Sequence, residues 1–515
     1  MSRKTKIISL LIFTALYILT RIPRSGTTIV NTDEVYWHGR SWNFTNALVN
    51  KDYKKTYQKY HPGVTLMWEI SATAKMMSVL DKSDINEVFL SFERLHSNVQ
   101  FVLTSWFFIL LLFIVYLLNK ATGKWWFSII SVTVLMLEPF YIGNSRLIHH
   151  DVQSSLYVLI AILSVYLYAE RKSSLFFVFL SSFFLSLATL SKTLYLGAFL
   201  FCLFFGGLIL IRNKDFKKLG HFATVLILSF LFFYILLFPA LWVAPVETVK
   251  TMFTESFIVG EDEGHTQIFF GNKSRNPGAL FYPVLFLLKS SPLLIIGFVL
   301  FLGKVFIDII RIVIKREKLY KSEVPLVLFM SIFYIGYFLV ITYFDKKVDR
   351  YFVPLYPWIS ILAVLGWSTL IKKKLLLIIP ISLFLVTTAV QLVTIFPHYL
   401  MYVNPFIGDA DKANQIIGQK LFGIGIFDLR DYIVKKYGDS TSIGTNDYGP
   451  LSSIYPNGRV YNVLVKHPND FKIMVLGPNK DFPPSVKKDS NISYRYVESI
   501  YINGLEFWRI YKRSY

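Results

Sequence analysis

Cysteine is nearly absent from this sequence. Cys202 is the only one, and it sits inside an apolar run, so neither an intrachain disulfide nor a cysteine-built metal site can form. Charge is scarce too: 17% of the 515 residues are charged, against about 25% in an ordinary soluble domain. Acids are the scarcer sign, with 33 Asp and Glu against 54 Lys and Arg. The net charge of +21 is not a nucleic-acid footprint. Much of it lies in short clusters between apolar runs, and no basic stripe interleaves with aromatics in a polar segment. No glycine-rich phosphate loop, HExxH pairing, internal repeat or low-complexity tract is present. What is abundant is apolar side chain, 54% of the total, and that makes the chain a membrane protein.

Apolar runs near the roughly 20 residues that span a bilayer recur along the chain. They are Ile7–Thr20, Val99–Leu118, Trp125–Ile142, Val152–Ala169, Leu175–Leu190, Leu194–Ile211, Phe222–Val243, Leu293–Val313, Val324–Tyr343, Phe352–Ile371 and Leu375–Phe396. The expectation is a mostly α, polytopic protein with about eleven spans, two of them cramped around "LSKT". The basic clusters "SRKTK", "NKATGK", "ERK", "RNKDFKK", "KREKLYK" and "KKK" all fall on one side if the N-terminus is cytoplasmic. Eleven spans then leave the C-terminus outside the cytoplasm of a multi-pass plasma-membrane protein. No small-residue cleavage site follows the first run, which reads as a retained anchor.

The sequence divides into a membrane domain, 1–396, and a soluble α/β domain, 397–515, on the outer face. The membrane domain has two large outer loops, at about 21–98 and 244–283, as span lengths dictate. The first loop holds two amphipathic stretches, one after Glu34 and one at "HPGVTLMWEI", with Pro62 suited to a first helical position. In the C-terminal part, "FDLRDYIVKKYG" predicts a helix closed by Gly438. "TSIGTN", "RVYNVLV" and "FKIMVLG" predict strands, and Asn503-Gly504 predicts a hairpin turn.

Polar groups where they are expensive point to chemistry in a membrane protein. "NTDEVYWHGR" puts Asp33 and Glu34 just outside the first run. Acids there suit a helix start capped by Asn31 or Thr32, and they equally suit a general base. "NSRLIHHD" carries Arg146, His149, His150 and Asp151; "LSKT" carries Lys192; "LKSSP" carries Lys289; "DKKVDRYFVPLYP" carries Arg350. Single Lys or Arg residues near helix ends often only snorkel to the headgroups. Their coincidence on one face, with the acids, suits glycosyl transfer from a polyprenyl-phosphate sugar. There a carboxylate takes the acceptor's proton and cations hold the phosphate as it leaves.

With those stretches the chain resembles membrane glycosyltransferases of the GT-C fold. It is most similar to bacterial relatives of protein O-mannosyltransferases and of the aminoarabinose transferases that modify lipid A. The resemblance rests on "NTDEVYW", "KYHPGVTLMW", "NSRLIHHD", "LATLSKT", "FPALWVAPVETV", "GNKSRNPGALFYPVLFLLKSSPL", "DRYFVPLYPWISILA" and "PHYLMYVNPFIGDADKANQIIG", which occur in family order. It implies Asp33 as catalytic base, Glu34 completing its acidic pair and Asp151 as a second acidic position. Arg146, Lys192, Lys289 and Arg350, in that order, become candidate contacts for the donor's phosphate or sugar. His61 stands where the aminoarabinose branch carries an acid, and Pro62-Gly63 where the mannosyl branch has two prolines. The donor sugar is therefore open.

His61, His149, His150 and His265 lie near acids on the same face. A divalent cation held by His265 with Asp33 or Asp151 would neutralise phosphate. The implied partners are a polyprenyl-phosphate sugar, a glycan, lipid or protein acceptor, and membrane lipid, without nucleic acid. A lipid-linked-sugar transporter or flippase would share the charged cavity but would need helices broken near mid-membrane. A polysaccharide polymerase or ligase is the other alternative. A non-catalytic sensor would leave the ordered acids of the membrane half unexplained.

Overall fold

The computed structural model describes residues 2–171, 173–262, 266–315, 324–370, 378–466, 468–484, 486 and 493–514. Seven helices among them are long and apolar enough to cross a membrane: Phe92–Thr122, His150–Ala169, Thr193–Arg212, Phe216–Leu237, Pro292–Ile314, Val324–Tyr343 and Asp349–Leu370. An eighth span results if Trp125–Leu137 and Pro139–Ser145, bent by 72° where they meet, are taken together. The expected eleven spans are not reached on length and composition. Phe176–Ser191 has only 16 residues, and Arg3–Arg21 carries Arg3, Lys4, Lys6 and Arg21. The last run forms Ile378–Thr394, of 17 residues. Most of "KREKLYK" and all of "KKK" lie outside the described residues.

Every residue of His150–Ala169 is buried, which makes this helix the axis of the bundle. Phe176–Ser191, Phe92–Thr122 and Leu196–Arg212 pack around it. The pair around "LSKT" is two helices, interrupted where Lys192 adopts an extended backbone. A second interruption, at Glu138, has a visible cause. Pro139 opens the next helical segment, and the buried Glu138 carboxylate accepts from the Ser291 amide at 2.5 Å and its hydroxyl at 2.8 Å. Ser291 precedes the helix Pro292–Lys315, so the carboxylate sits at that helix's positive end. Beyond the bend, residues 139–149 lead into the axial helix His150–Ala169.

Between Arg21 and Phe92 lie the helices Thr32–Val49, Val64–Asp81 and Ile85–Leu90. Pro62 is not a first helical residue. Gly63 caps Val64–Asp81 in a left-handed conformation (φ 55°), and a Cβ there would lie 2.1 Å from the Trp37 ring. That close approach packs the two loop helices together.

The loop after Phe216–Leu237 holds the helix Pro245–Asp262 and a two-stranded hairpin, β1 (Gln267–Phe269) and β2 (Asn272–Ser274). The C-terminal part forms a five-stranded sheet of β3 (Ile443–Thr445), β4 (Val460–Asn462), β5 (Ile473–Leu476), β6 (Ser493–Ile502) and β7 (Leu505–Ser514). Its order is β4-β3-β5-β7-β6. β3 runs parallel to β4 and β5 and is wholly buried, as is β5, in keeping with their apolar runs. β6 and β7 form the hairpin that turns at Asn503-Gly504. The helix Ile426–Tyr437 ends at Gly438 as its sequence predicts.

The sole native thiol, Cys202, is buried, so introduced cysteines report orientation without background. With the N-terminus cytoplasmic, Ser440→Cys should react with an impermeant thiol reagent on intact cells. Lys214→Cys, in the exposed turn between Thr193–Arg212 and Phe216–Leu237, should react only after permeabilisation. The reverse pattern would invert the orientation.

Candidate active site

Asp33 is presented by the first turn of Thr32–Val49. Asn31 caps this helix in a capping box: its side chain accepts from the Asp33 amide at 2.9 Å, and Glu34 Oε2 accepts from the Asn31 amide at 2.8 Å. The other oxygen of Glu34 reaches a distant part of the chain and accepts from the Ile148 amide at 2.6 Å. Glu34 is fully buried, and burial pushes its carboxyl up to about 8 although both amides oppose the shift. It therefore works as a buckle. One carboxyl group fixes the start of the Asp33 helix to the stretch that leads into His149 and Asp151.

Asp151 lies in the first turn of His150–Ala169, so both acids sit at helix N-termini, where the dipole favours negative charge. Lys192, at the break between two helices, pairs with Asp151 Oδ1. Arg350 lies in the tight 3-10 turn Asp349–Leu355, preceded by extended Val348. Its Nη1 is 2.6 Å from Asp33 Oδ2 and its Nε is 3.5 Å from Asp151 Oδ2. His149 stands between the same acids, at 3.6 Å from Asp33 Oδ2 and 3.0 Å from Asp151 Oδ2. Two carboxylates, two cations and one imidazole thus form a single cluster, drawn from four segments far apart in sequence.

The two acids are not equivalent. The Asp151 side chain is 4% exposed and the Asp33 side chain 36%. Burial works to raise the Asp33 carboxyl, but the Arg350 guanidinium and then His149 outweigh it and hold the group far below the usual carboxylate range. His61, half-buried against the Tyr60 ring at 4.1 Å, lies beside the cluster. Burial, then the charges of Lys192 and Lys346, lower its imidazole to about 3, and its buried Nδ1 has no hydrogen-bond partner among the described residues.

Arg146 and Lys289 are engaged elsewhere. The buried Arg146 guanidinium donates to the carbonyls of Thr20 (3.3 Å), Arg21 (3.5 Å), Pro23 (2.9 Å) and Arg24 (3.0 Å). It caps the C-terminal end of Arg3–Arg21 and the turn beyond it. Lys289 Nζ donates to Leu400 O at 3.1 Å and Gln419 Oε1 at 3.3 Å. Of the four cations expected from sequence, Arg350 and Lys192 join the acids, while Arg146 and Lys289 satisfy backbone and amide oxygens.

His265 lies outside the described residues. A different set could hold a cation: one atom each of His149, His150 and Asp151 lie within 4.8 Å of one another, and all three residues are buried. The donor chemistry fits a divalent ion, and both His150 nitrogens are buried without a hydrogen-bond partner. Lys420 and Phe422 also reach the site and were not legible in the sequence. The Phe422 ring carries Arg350 at 5.6 Å and Lys420 at 5.7 Å. Both lie in a polar segment, where a lysine is ordinary and nothing marks it.

No family model matches this sequence, and no curated protein matches it. Among solved structures it is similar to the crystal structure of ArnT from Cupriavidus metallidurans bound to undecaprenyl phosphate. The TM-score is 0.53 at 11% identity, over 99% of this chain and 98% of that one. This chain has the GT-C fold. A structure of the archaeal oligosaccharyltransferase AglB from Archaeoglobus fulgidus, in complex with an inhibitory peptide and a dolichol-phosphate, matches at a TM-score of 0.47 and 12% identity. That match covers 92% of this chain and 69% of AglB.

The carbonyl cage of Arg146 implies a structural residue. Arg146→Gln should lower the thermal midpoint of the purified protein, because a buried acceptor left without its donor costs about 1–3 kcal/mol. Binding of a short polyprenyl phosphate by the folded fraction should stay within a few-fold of wild type. An unchanged midpoint with tenfold weaker binding would return Arg146 to the phosphate site.

Proposed function

We propose that this protein is an integral membrane glycosyltransferase that moves a sugar from a polyprenyl-phosphate carrier to an acceptor hydroxyl or amine at the outer face of the membrane, with inversion. The observation that carries the reading is the Asp33–Arg350–Asp151 bridge, in which a single guanidinium joins a half-exposed carboxylate to a buried one. Asp33 is the general base, Lys192 and Arg350 hold the phosphate, and Asp151 keeps both cations in place. The fold shared with ArnT, a protein crystallised with undecaprenyl phosphate, supports a lipid-phosphate ligand.

The ion pair with Arg350 makes Asp33 a poor base in the resting protein. Arrival of the donor phosphate changes that balance. The phosphate competes for the guanidinium, the charge facing Asp33 falls, and its basicity rises while the acceptor is in place. Asp33 then takes the acceptor proton as the acceptor atom bonds to the anomeric carbon, and the bond from that carbon to the phosphate oxygen breaks. The electron pair leaves on the phosphate, beside Lys192 and Arg350. One displacement leaves no glycosyl-enzyme intermediate, so the sugar is inverted. His149, His150 and Asp151 would hold a divalent cation, which would add to the neutralisation of the phosphate.

The same reading assigns residues 1–396 as the membrane catalytic domain and 397–515 as an extracytoplasmic domain, with the N-terminus cytoplasmic. A mannosyl-type or pentosyl-type donor fits equally, and the acceptor is a glycan, a lipid or a protein.

Asp33→Asn keeps shape and helix-start geometry but removes basicity. A general base contributes about 10²- to 10⁴-fold, so turnover by the variant in proteoliposomes should fall by that range with donor binding retained. Turnover within a few-fold of wild type would reduce Asp33 to a helix-start acid. Retained anomeric configuration in the product would overturn the single-displacement mechanism.

A further inference from the structure

We propose that Lys420 is a third cation for the donor phosphate and that Asp447 is the positioning residue that delivers it, by clamping the turn beside Lys420 onto the start of the Asp33 helix. This rests on the glycosyl-transfer reading above and deepens it. The segment after the helix Ala410–Ile416 then supplies part of the phosphate site, not a cover over it.

Lys420 is half-buried, and no carboxylate among the described residues lies within ion-pair distance of its ammonium. Asp33 and Asp151 are already matched by Arg350 and Lys192. Asp349 and Asp33 act on Lys420 only at longer range, together with the like charge of Arg350. Two cations share the Phe422 ring, whose negative face offsets part of their repulsion. A phosphate is the ligand that such a pair is built to accept, singly charged in the sugar-linked donor and doubly charged as it leaves.

The turn that carries them is held under constraint. Phe422 has φ 47°, which a bulky L-residue seldom adopts, and Gly423 follows at φ 63°. A Cβ at Gly423 would fall 1.8 Å from Val30 O, so only glycine allows the turn to approach the chain leading into Asp33. The buried Asp447 fixes this arrangement with both oxygens. Oδ2 accepts from the Gly423 amide at 2.8 Å, and Oδ1 accepts from the Thr32 hydroxyl at 3.1 Å. Thr32 is the first residue of the helix that bears Asp33. On the other flank of Lys420, Gln419 accepts from Lys289. The Lys420 segment is therefore held on both flanks, by Asp447 to the Asp33 helix and by Gln419 to Lys289.

The test is binding of farnesyl phosphate and of farnesol to the purified full-length protein in detergent. Wild type should bind the phosphate far more tightly than the alcohol. Lys420→Met should weaken farnesyl phosphate about ten- to hundredfold, the range of a charge-assisted contact, and leave farnesol unchanged. Lys420→Arg should recover most of the loss. Asp447→Asn should weaken the phosphate as well, and adding Lys420→Met to it should cost little more, because both act through one contact. Thr32→Val, which removes one arm of the clamp, gives the same comparison if Asp447→Asn does not fold. Wild-type phosphate affinity in Lys420→Met, with loss in Arg350→Met, overturns the assignment of Lys420 and leaves the glycosyl-transfer reading standing. Fully additive losses in the double variant overturn the positioning role of Asp447. A wild-type protein that does not distinguish farnesyl phosphate from farnesol overturns both the inference and the reading beneath it.

Discussion

The Arg350 guanidinium between Asp33 and Asp151 is the interaction on which the rest of this architecture depends. Two carboxylates near one another at the end of a helical bundle repel, and burial makes that repulsion worse. The chain solves this with charges of opposite sign and with backbone. Lys192 takes one oxygen of Asp151, and Arg350 spans both acids. Both acids lie in the first turns of helices, whose amides add positive potential. Each of these contributions requires a chain break at the right place: an extended residue at Lys192, a 3-10 turn at Arg350, a capping box at Asn31. The irregular backbone of the bundle is concentrated where the charges meet, which is where non-helical backbone in a membrane protein is tolerated.

The neutrality of the cluster also sets its chemistry. A site with its charges already matched stays stable without ligand, but its acids are weak bases while they remain matched. In the proposed mechanism an anionic ligand loosens the match, because it draws on the same cations that hold the carboxylates. Asp33 responds most, since it is partly exposed and its depressed carboxyl depends chiefly on Arg350 among its partners. Asp151, buried and paired with Lys192, has less freedom to change. Unequal burial thus gives two similar acids different capacities.

Much of this was legible in the sequence, and the reason is energetic. Asp33, Asp151, Lys192 and Arg350 stand at the ends of apolar runs, where a charge is costly to place and so draws attention. Arg146 and Lys289 carry the same signature, and sequence cannot separate a guanidinium facing a ligand from one capping carbonyls. That is why sequence named all four together, and only the fold shows which two meet the acids. Pro62 suggested a helix start, but the close approach of Trp37 to Gly63 moved it two residues on, and no local propensity reports such a contact. The count of eleven spans came from apolar runs alone; among the described residues, seven helices, or eight with the bent pair, are long and apolar enough to cross a membrane. The hairpin at Asn503-Gly504 and the helix closed by Gly438 were readable because turn and cap chemistry are local.

Asp447, Phe422 and Lys420 were not readable at all, and they show what sequence periodicity omits. Their partners lie far off in the chain: Thr32 for Asp447, Arg350 for Phe422. The turn they build is anchored from the sheet side as well. The buried Trp508 on β7 donates to Ile424 O at 3.2 Å, and Ile424 bridges to Ile29. At the tip of the β6–β7 hairpin, Asn503 donates to Met401 O at 2.8 Å. The sheet is thus tied to Met401 and to Ile424 beside the Phe422 turn, and through Ile424 to Ile29 ahead of the Asp33 helix. Through Ile424 and Ile29, directional bonds run from the sheet to both the Phe422 turn and the chain leading into Asp33. Position of a charge to within a fraction of an ångström is what an electrostatic site requires. Directional hydrogen bonds specify such positions, whereas apolar packing alone is non-directional.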